Sequence, residues 1–104
     1  MIDAQFLTTN GKLKGFVIKG HAGYALFGKD IVCASVSSSV MQTANTVTEI
    51  FKVKADVKAH NNEISCGLLE ESETASKLIE GLKLHLTLLS EDYPNTIKVT
   101  ISEV

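Results

Sequence analysis

The stretch from residue 2 to residue 19, IDAQFLTTNGKLKGFVIK, carries the pattern of a β-hairpin and limits the folds that can follow. Over residues 2–8 apolar and polar residues alternate, which is the period of a strand with one buried face. Asn10-Gly11 is a strong hairpin signal, because both residue types tolerate positive φ. Residues 12–19 are therefore predicted to return as the antiparallel neighbour of residues 2–8.

A helix is predicted from Asp30 to about Phe51, because apolar residues recur there at helical spacing. Aspartate is a preferred N-cap residue, so Asp30 is expected to start this helix. Counted from Asp30, Cys33 falls in the first turn. The predicted apolar stripe is Val36, Val40, Ala44, Val47 and Phe51.

A second hairpin is predicted after this helix. Residues 53–57 alternate again, and Asn61-Asn62 can take the left-handed positions of a turn. The following strand places Ile64, Cys66 and Leu68 on one face. Cys66 is therefore expected to be a buried strand thiol.

The second helix is expected to begin at Ser72 and to run to about Asp92, where Pro94 stops it. Its leucines cover more of the helix surface than one sheet face needs. The surface around Leu84 and Leu88 is therefore a candidate dimer surface. The apolar stripe comprises Ala75, Leu78, Leu82, Leu86 and Leu89, widened by Ile79, Leu84 and Leu88.

The predicted element order is β-β-α-β-β-α-β, with the last strand over residues 96–101. Two amphipathic helices against one sheet of about five strands give a two-layer α+β sandwich, in one domain over residues 1–104. Since both hairpins are antiparallel, the sheet is expected to be mixed or mainly antiparallel. The order of the strands does not follow from the pattern.

Composition excludes several classes of protein. A net charge of −2 disfavours direct nucleic-acid binding, which usually shows a basic excess, although lysines before residue 60 leave a local basic face open. No apolar run approaches a membrane span, and the N-terminus lacks a signal-peptide pattern, so a cytoplasmic protein is expected. Two cysteines without CxxC spacing and three scattered histidines predict no metal site and no cofactor.

Residues 19–40, KGHAGYALFGKDIVCASVSSSV, place His21 and Cys33 on either side of a loop that contains glycines. A thiolate is favoured at a helix N-terminus and by an imidazole that accepts its proton. The glycines Gly20, Gly23 and Gly28 allow loop 22–29 to curl back. Two interpretations remain from the residues alone: a Cys–His dyad, or a packed thiol beside a glycine-rich connection.

Asp30 and Ser37 are candidate supporting residues. Ser37 follows Cys33 by four positions, so it should lie one turn along on the same face, where it could bond a substrate backbone. Asp30 could cap the helix or orient His21. The cap is favoured because it needs no further assumption.

Two blocks of this stretch, Gly20-His21-Ala22 and the run DIVCASVS over residues 30–37, stand on either side of Gly28. Together they resemble the signature of the ribosomal-processing cysteine protease family, often called Prp. Chain length and element order extend the resemblance over essentially the whole chain. Ser35, where alanine is common, is a mild variation.

The resemblance implies a homodimeric cysteine endopeptidase of Firmicutes and related bacteria. Its substrate would be a large-subunit ribosomal protein precursor, the twenty-seventh, from which it removes an N-terminal extension after aromatic residues. Cys33 would be the nucleophile and His21 the general base, with loop 22–29 as a lid. The alternative is a non-catalytic ribosome-associated module that binds peptide or RNA, and another thiol enzyme, such as a deamidase or acyltransferase, is a third possibility.

Overall fold

The computed structural model describes residues 1–20 and 29–104, and for Lys29 and Asp30 the backbone alone. Its elements follow in the predicted order, and they confirm the α+β class. The strands are β1 (Ile2–Thr9), β2 (Lys12–Lys19), β3 (Ala55–His60), β4 (Glu63–Leu68) and β5 (Ile97–Glu103). The helices are α1 (Lys29–Asn45), a short π-helical segment (Thr46–Ile50) and α2 (Glu73–Asp92).

The five strands form one mixed sheet in the order β3-β4-β2-β1-β5. β1 and β5 are parallel, whereas the β1–β2, β2–β4 and β3–β4 pairs are antiparallel. Both predicted tight turns are present, with positive φ at Asn10 and Gly11 and at Asn61 and Asn62. The first hairpin therefore lies in the middle of the sheet, and β3 and β5 are its edges.

The core lies between one face of the sheet and both helices. Phe6 of β1 and Phe16 of β2 are directly paired and fully buried, with ring centroids 6.3 Å apart. Residues of α1 and α2 join the same buried cluster, which makes the predicted two-layer sandwich. The predicted cap of α2 is also present, because the Ser72 hydroxyl accepts a hydrogen bond from the Ala75 N–H at 3.1 Å.

The predicted stripe of the first helix is correct up to Val47 and wrong at Phe51. Val36, Val40, Ala44 and Val47 are buried, but Phe51 is 50% exposed. The Phe51 N–H donates to the Thr46 carbonyl, five residues back, which is the π-helical spacing. This wider turn rotates Phe51 away from the core face.

β2 has a bulge next to Gly15, where the strand also approaches β4 closely. Leu7 pairs with Gly15 and Thr8 pairs with Leu13, so Lys14 is an extra residue in β2. This insertion lets Leu13 and Phe16, three positions apart, both be buried. A Cβ at Gly15 would lie 2.3 Å from the Cys66 carbonyl oxygen, so only glycine fits where β2 approaches β4.

Gly15→Ala is expected to lower the free energy of unfolding by about 1–3 kcal/mol, because the backbone must shift to admit the methyl group. Gly67→Ala is the matched control, since a Cβ on this paired glycine of β4 meets no atom within 4 Å. Urea unfolding of both variants measures the difference. Equal stability of the two variants would contradict the close-approach explanation.

Candidate active site

A cavity of about 130 Å³ opens between α1 and the end of the sheet where β2 stops. Its apolar floor comes from the strands, one wall from α1, and its rim from the two residues at the strand ends. The floor residues are Ile2, Ile18 and Ile64, the wall residues are Cys33, Val36, Ser37 and Val40, and the rim residues are Gly20 and Asn62.

Cys33 and Ser37 share the cavity wall, as their spacing of one helical turn predicted. Cys33 is half-buried. It is the fifth residue of α1, at the beginning of the second turn, and the prediction that it lies in the first turn is wrong by about one residue. The favourable effect of the helix dipole on an anion is largest within the first turn, so Cys33 lies at the limit of that effect.

Asp30 occupies the second position of α1, because the helix begins at Lys29. The prediction that Asp30 precedes the helix as its N-cap is therefore wrong. Aspartate is favoured in the first turn as well as at the cap, since both positions face the positive end of the helix dipole. The sequence alone therefore does not decide at which of these neighbouring residues the helix begins.

Gly20 brings the chain to the mouth of the cavity directly after β2. It has φ of 86°, and its N–H donates to the Asn62 carbonyl at 3.0 Å. A Cβ there would lie 3.0 Å from the Met1 carbonyl oxygen, so the position suits glycine. The next residue is His21, which lies outside the described residues together with residues 22–28, among them Gly23 and Gly28. The predicted loop 22–29 is one residue too long, because Lys29 is the first residue of α1.

Cys66 does not line this cavity. It is buried on the helix-facing side of β4, as predicted. Burial, and to a smaller extent the negative charge of Asp56, raise the pKa of the Cys66 thiol. Cys66 is therefore held as a neutral thiol and is not a candidate nucleophile.

The two histidines that the structure describes also lie apart from the cavity. His60, in the β3–β4 hairpin, is exposed, and its Nε2 lies 3.0 Å from Asn61 Nδ2. His85 is exposed on α2. Over residues 1–20 and 29–104, no three metal-ligating side chains gather.

Asn62 is the site residue that the sequence pattern did not indicate. The turn chemistry of Asn61-Asn62 accounts for its conformation, with φ of 64° at Asn62. Only the antiparallel pairing of β2 with β4 brings that turn beside Gly20. The sequence carries no signal for this contact because it joins residues forty-two positions apart.

An α+β sandwich that presents a half-buried cysteine near the start of a helix, beside a cavity, has the architecture of a thiol enzyme. The family model described as cysteine protease Prp matches residues 1–98 of this chain. The chain therefore belongs to the Prp family of cysteine proteases.

Two relatives support this assignment. The ribosomal processing cysteine protease Prp of Bacillus subtilis (strain 168) is 31% identical over 108 residues, which cover 96% of each chain. The protein of the same name from Staphylococcus aureus (strain Mu50) is 22% identical over 92 residues, covering 86% of this chain and 87% of that one.

Solved structures show the same fold. The S. aureus ribosomal processing protease Prp, in complex with a covalently linked product peptide, aligns with a TM-score of 0.88 at 20% identity, over 98% of this chain and 100% of that one. A Streptococcus mutans protein aligns with a TM-score of 0.83 at 28% identity, over 100% and 96%. Within the described part of this chain, no helix has the length and apolar character to cross a membrane.

The difference between the two cysteines predicts selective labelling. In the native protein at neutral pH, iodoacetamide is expected to modify Cys33 quickly and Cys66 slowly, because Cys66 is buried and its raised pKa disfavours the thiolate. Peptide mapping by mass spectrometry identifies the modified residue. Cys66→Ala should leave the fast labelling intact and Cys33→Ala should remove it, whereas equal labelling of both thiols would contradict the assignment.

Proposed function

We propose that this chain is a cysteine endopeptidase that removes the N-terminal extension of the twenty-seventh large-subunit ribosomal protein. Cys33 is the nucleophile and His21 the general base of a dyad in the domain over residues 1–104. The observation that carries the proposal is the cavity that Cys33 shares with Gly20, since the peptide bond after Gly20 leads directly to His21. Two relatives named as ribosomal processing proteases support this class of substrate.

Covalent connection limits how far His21 can be from the cavity. Consecutive Cα atoms are about 3.8 Å apart, so His21 begins within one residue of the rim. Gly20 is held there by its hydrogen bond to Asn62. The residue that follows Gly20 is therefore tethered to the rim of the cavity that Cys33 lines, which supports the dyad.

The mechanism follows from these positions. His21 accepts the proton of the Cys33 thiol, and the thiolate attacks the scissile carbonyl. The tetrahedral intermediate collapses when His21 returns the proton to the leaving amine, which leaves an acyl-enzyme on Cys33. Water, deprotonated by His21, then hydrolyses the thioester and regenerates the thiol.

The negative oxygen of the tetrahedral intermediate needs hydrogen-bond donors. The first N–H groups of α1 are natural donors, because the first turn of a helix has no intrahelical acceptors for them. Ser37 stands one turn further along the cavity wall and can bond the substrate backbone. The apolar floor is compatible with an aromatic side chain next to the scissile bond.

In this proposal residues 22–28, which precede α1, act as a lid over the bound peptide. Gly23 and Gly28 give the backbone of this lid the freedom to close over a bound peptide, which excludes water from the thioester. Asp30, at the second position of α1, supports the helix start or orients His21.

The test is cleavage of a peptide that spans the ribosomal-protein extension, under reducing conditions. Cys33→Ala and His21→Ala are each expected to lower kcat/KM by about a thousandfold or more, because the two groups act as one unit. Cys66→Ala is the matched control and should cleave normally. Product analysis by mass spectrometry also locates the scissile bond.

Two results would count against the proposal. One is failure of the unmodified protein to cleave the peptide although it is folded by circular dichroism. The other is full function of Cys33→Ala in cells, as a non-catalytic peptide- or RNA-binding module requires. Membership of a protease family favours the enzyme over that module.

The enzyme is further proposed to act as a homodimer in the cytoplasm. Leu84 and Leu88 of α2 are 60% and 51% exposed, and they stand one turn apart on the outside of the helix. Gly81, one turn before them, is also exposed and has open space around its Cα. A second helix could therefore approach α2 closely at this surface.

Replacing both leucines with lysine is expected to convert the dimer to a monomer, because two charges would be buried in the interface. Size-exclusion chromatography with light scattering measures the mass. Leu69→Lys is the control, because Leu69 is 68% exposed and lies before α2 begins, so this variant should leave the mass unchanged. A monomeric unmodified protein would contradict the dimer, and a dimeric double variant would contradict this surface.

A further inference from the structure

The floor of the active-site cavity continues to an open edge of the sheet. Ile18 of β2 pairs with Ile64 of β4, and Ile64 pairs with Ala59 of β3. Directly paired residues share a face of the sheet, so these three side chains form one row. Ile18 and Ile64 line the cavity, whereas Ala59 is exposed at the edge.

The next row reaches the same edge. Val57 of β3 pairs with Cys66 and therefore also faces the helix side, but it is exposed. α2 packs against β2 and β5 and so covers the opposite end of the sheet. Among the described residues, Val57 and Ala59 thus form an exposed apolar shelf, continuous with the cavity that holds Cys33.

Within the described residues, the outer edge of the β3 backbone is unpaired along this shelf. The Leu69 N–H donates to the Lys54 carbonyl at 2.9 Å, which makes Lys54 and Leu69 a hydrogen-bonded pair. In an antiparallel ladder such pairs alternate, so every second residue of β3 bonds to β4. Ala55, Val57 and Ala59 are the intervening residues, and they direct their N–H and C=O groups away from β4.

We propose that the substrate peptide adds to the outer edge of β3 as a further strand, at a segment remote from the scissile bond. In the order β3-β4-β2-β1-β5, no strand of the described chain pairs with this edge. Strand addition satisfies the free backbone groups of both chains and suits an extended peptide. This inference rests on the proposed endopeptidase activity and adds a second binding region to it.

The spacing of strands allows one peptide to occupy both regions. Neighbouring strands lie about 4.8 Å apart, so an added strand would be roughly 15 Å from β2. About four or five extended residues, at roughly 3.3 Å each, cover that distance. Alternate side chains of the added segment would rest on Val57 and Ala59, which selects apolar residues at every second position.

The continuity of the shelf with the cavity is the reason to assign the edge to substrate. A second copy of the chain could also pair with an open strand edge. It would not explain why the exposed apolar side chains of β3 extend the row that begins at Ile18.

Ala59→Pro tests the proposal. Proline removes the outward N–H and blocks strand addition, but it spares the ladder because Ala59 does not bond to β4. Cleavage is compared for a long substrate and for a peptide truncated to the residues around the scissile bond. The ratio of kcat/KM for the long to the short peptide is expected to fall about tenfold, mainly through KM, for the loss of one or two net hydrogen bonds.

Ile101→Pro on β5 is the matched control. The Ile2 N–H donates to the Thr96 carbonyl and the Val104 N–H donates to the Thr8 carbonyl, so even-numbered residues of β5 bond to β1. The Ile101 N–H therefore points outward at the opposite edge. Replacing Ile101 with proline should leave the ratio of kcat/KM for the long to the short peptide unchanged.

A second measurement leaves the protein unaltered. N-methylation of successive residues in the remote segment of the long peptide is expected to weaken cleavage at every second residue, because only alternate N–H groups face β3. If Ala59→Pro does not fold, the series of N-methylated peptides tests the strand-addition proposal by itself.

The outcomes separate the two proposals. If the unmodified protein cleaves neither peptide, the endopeptidase function fails. If it cleaves both, the strand-addition proposal is overturned by an unchanged ratio in folded Ala59→Pro, or by N-methylation effects without a two-residue period. If Ala59→Pro changes the oligomeric mass but not the ratio, the edge serves self-association. That result would also overturn the strand-addition proposal.

Discussion

The register of β2 against β4 is the constraint on which the site depends. It pairs Phe16 with Cys66 and Ile18 with Ile64, and the hydrogen bond from the Gly20 N–H to the Asn62 carbonyl completes it. A slip of one residue would turn Ile18 away from the cavity and expose buried core residues, because side chains alternate between faces. The close approach at Gly15 also holds this register, since no other residue type fits against the Cys66 carbonyl.

The same register connects the core to the chemistry. Val36 and Val40 anchor α1 in the core, and they line the cavity on the same wall as Cys33 and Ser37. The packing that stabilises the helix therefore also fixes where the thiol stands. The position of the Cys33 thiol is fixed because Val36 and Val40, further along the same helix, are buried. Packed side chains leave little freedom to the backbone that carries them.

The two cysteines differ in their environment, and this difference gives their thiols different reactivity. Cys33 is half-buried near a helix start, whereas Cys66 is enclosed between the sheet and the helices. Burial raises the pKa of Cys66 and so removes it from competition as a nucleophile. Cys33 stands in the cavity between α1 and the sheet, and the peptide-binding edge that we propose is the outer strand β3 of the same sheet.

Local rules determined much of this protein from the sequence alone. The period of two in the strands, the left-handed asparagines of both turns and the Ser72 cap act between near neighbours, so they were predictable and correct. The same local signals left the start of α1 ambiguous at Asp30. The π turn that exposes Phe51 was missed because a regular helical period was assumed.

Tertiary structure alone decided how the two hairpins and β5 join into one sheet. The order β3-β4-β2-β1-β5, the parallel pairing of β1 with β5, and the contact of Asn62 with Gly20 all join distant residues. Spacing and residue type pointed to Cys33 and Ser37, but not to the floor formed by Ile18 and Ile64. The reason is physical: periodicity shows which face of an element is buried, whereas the pairing of elements depends on packing them all together at once.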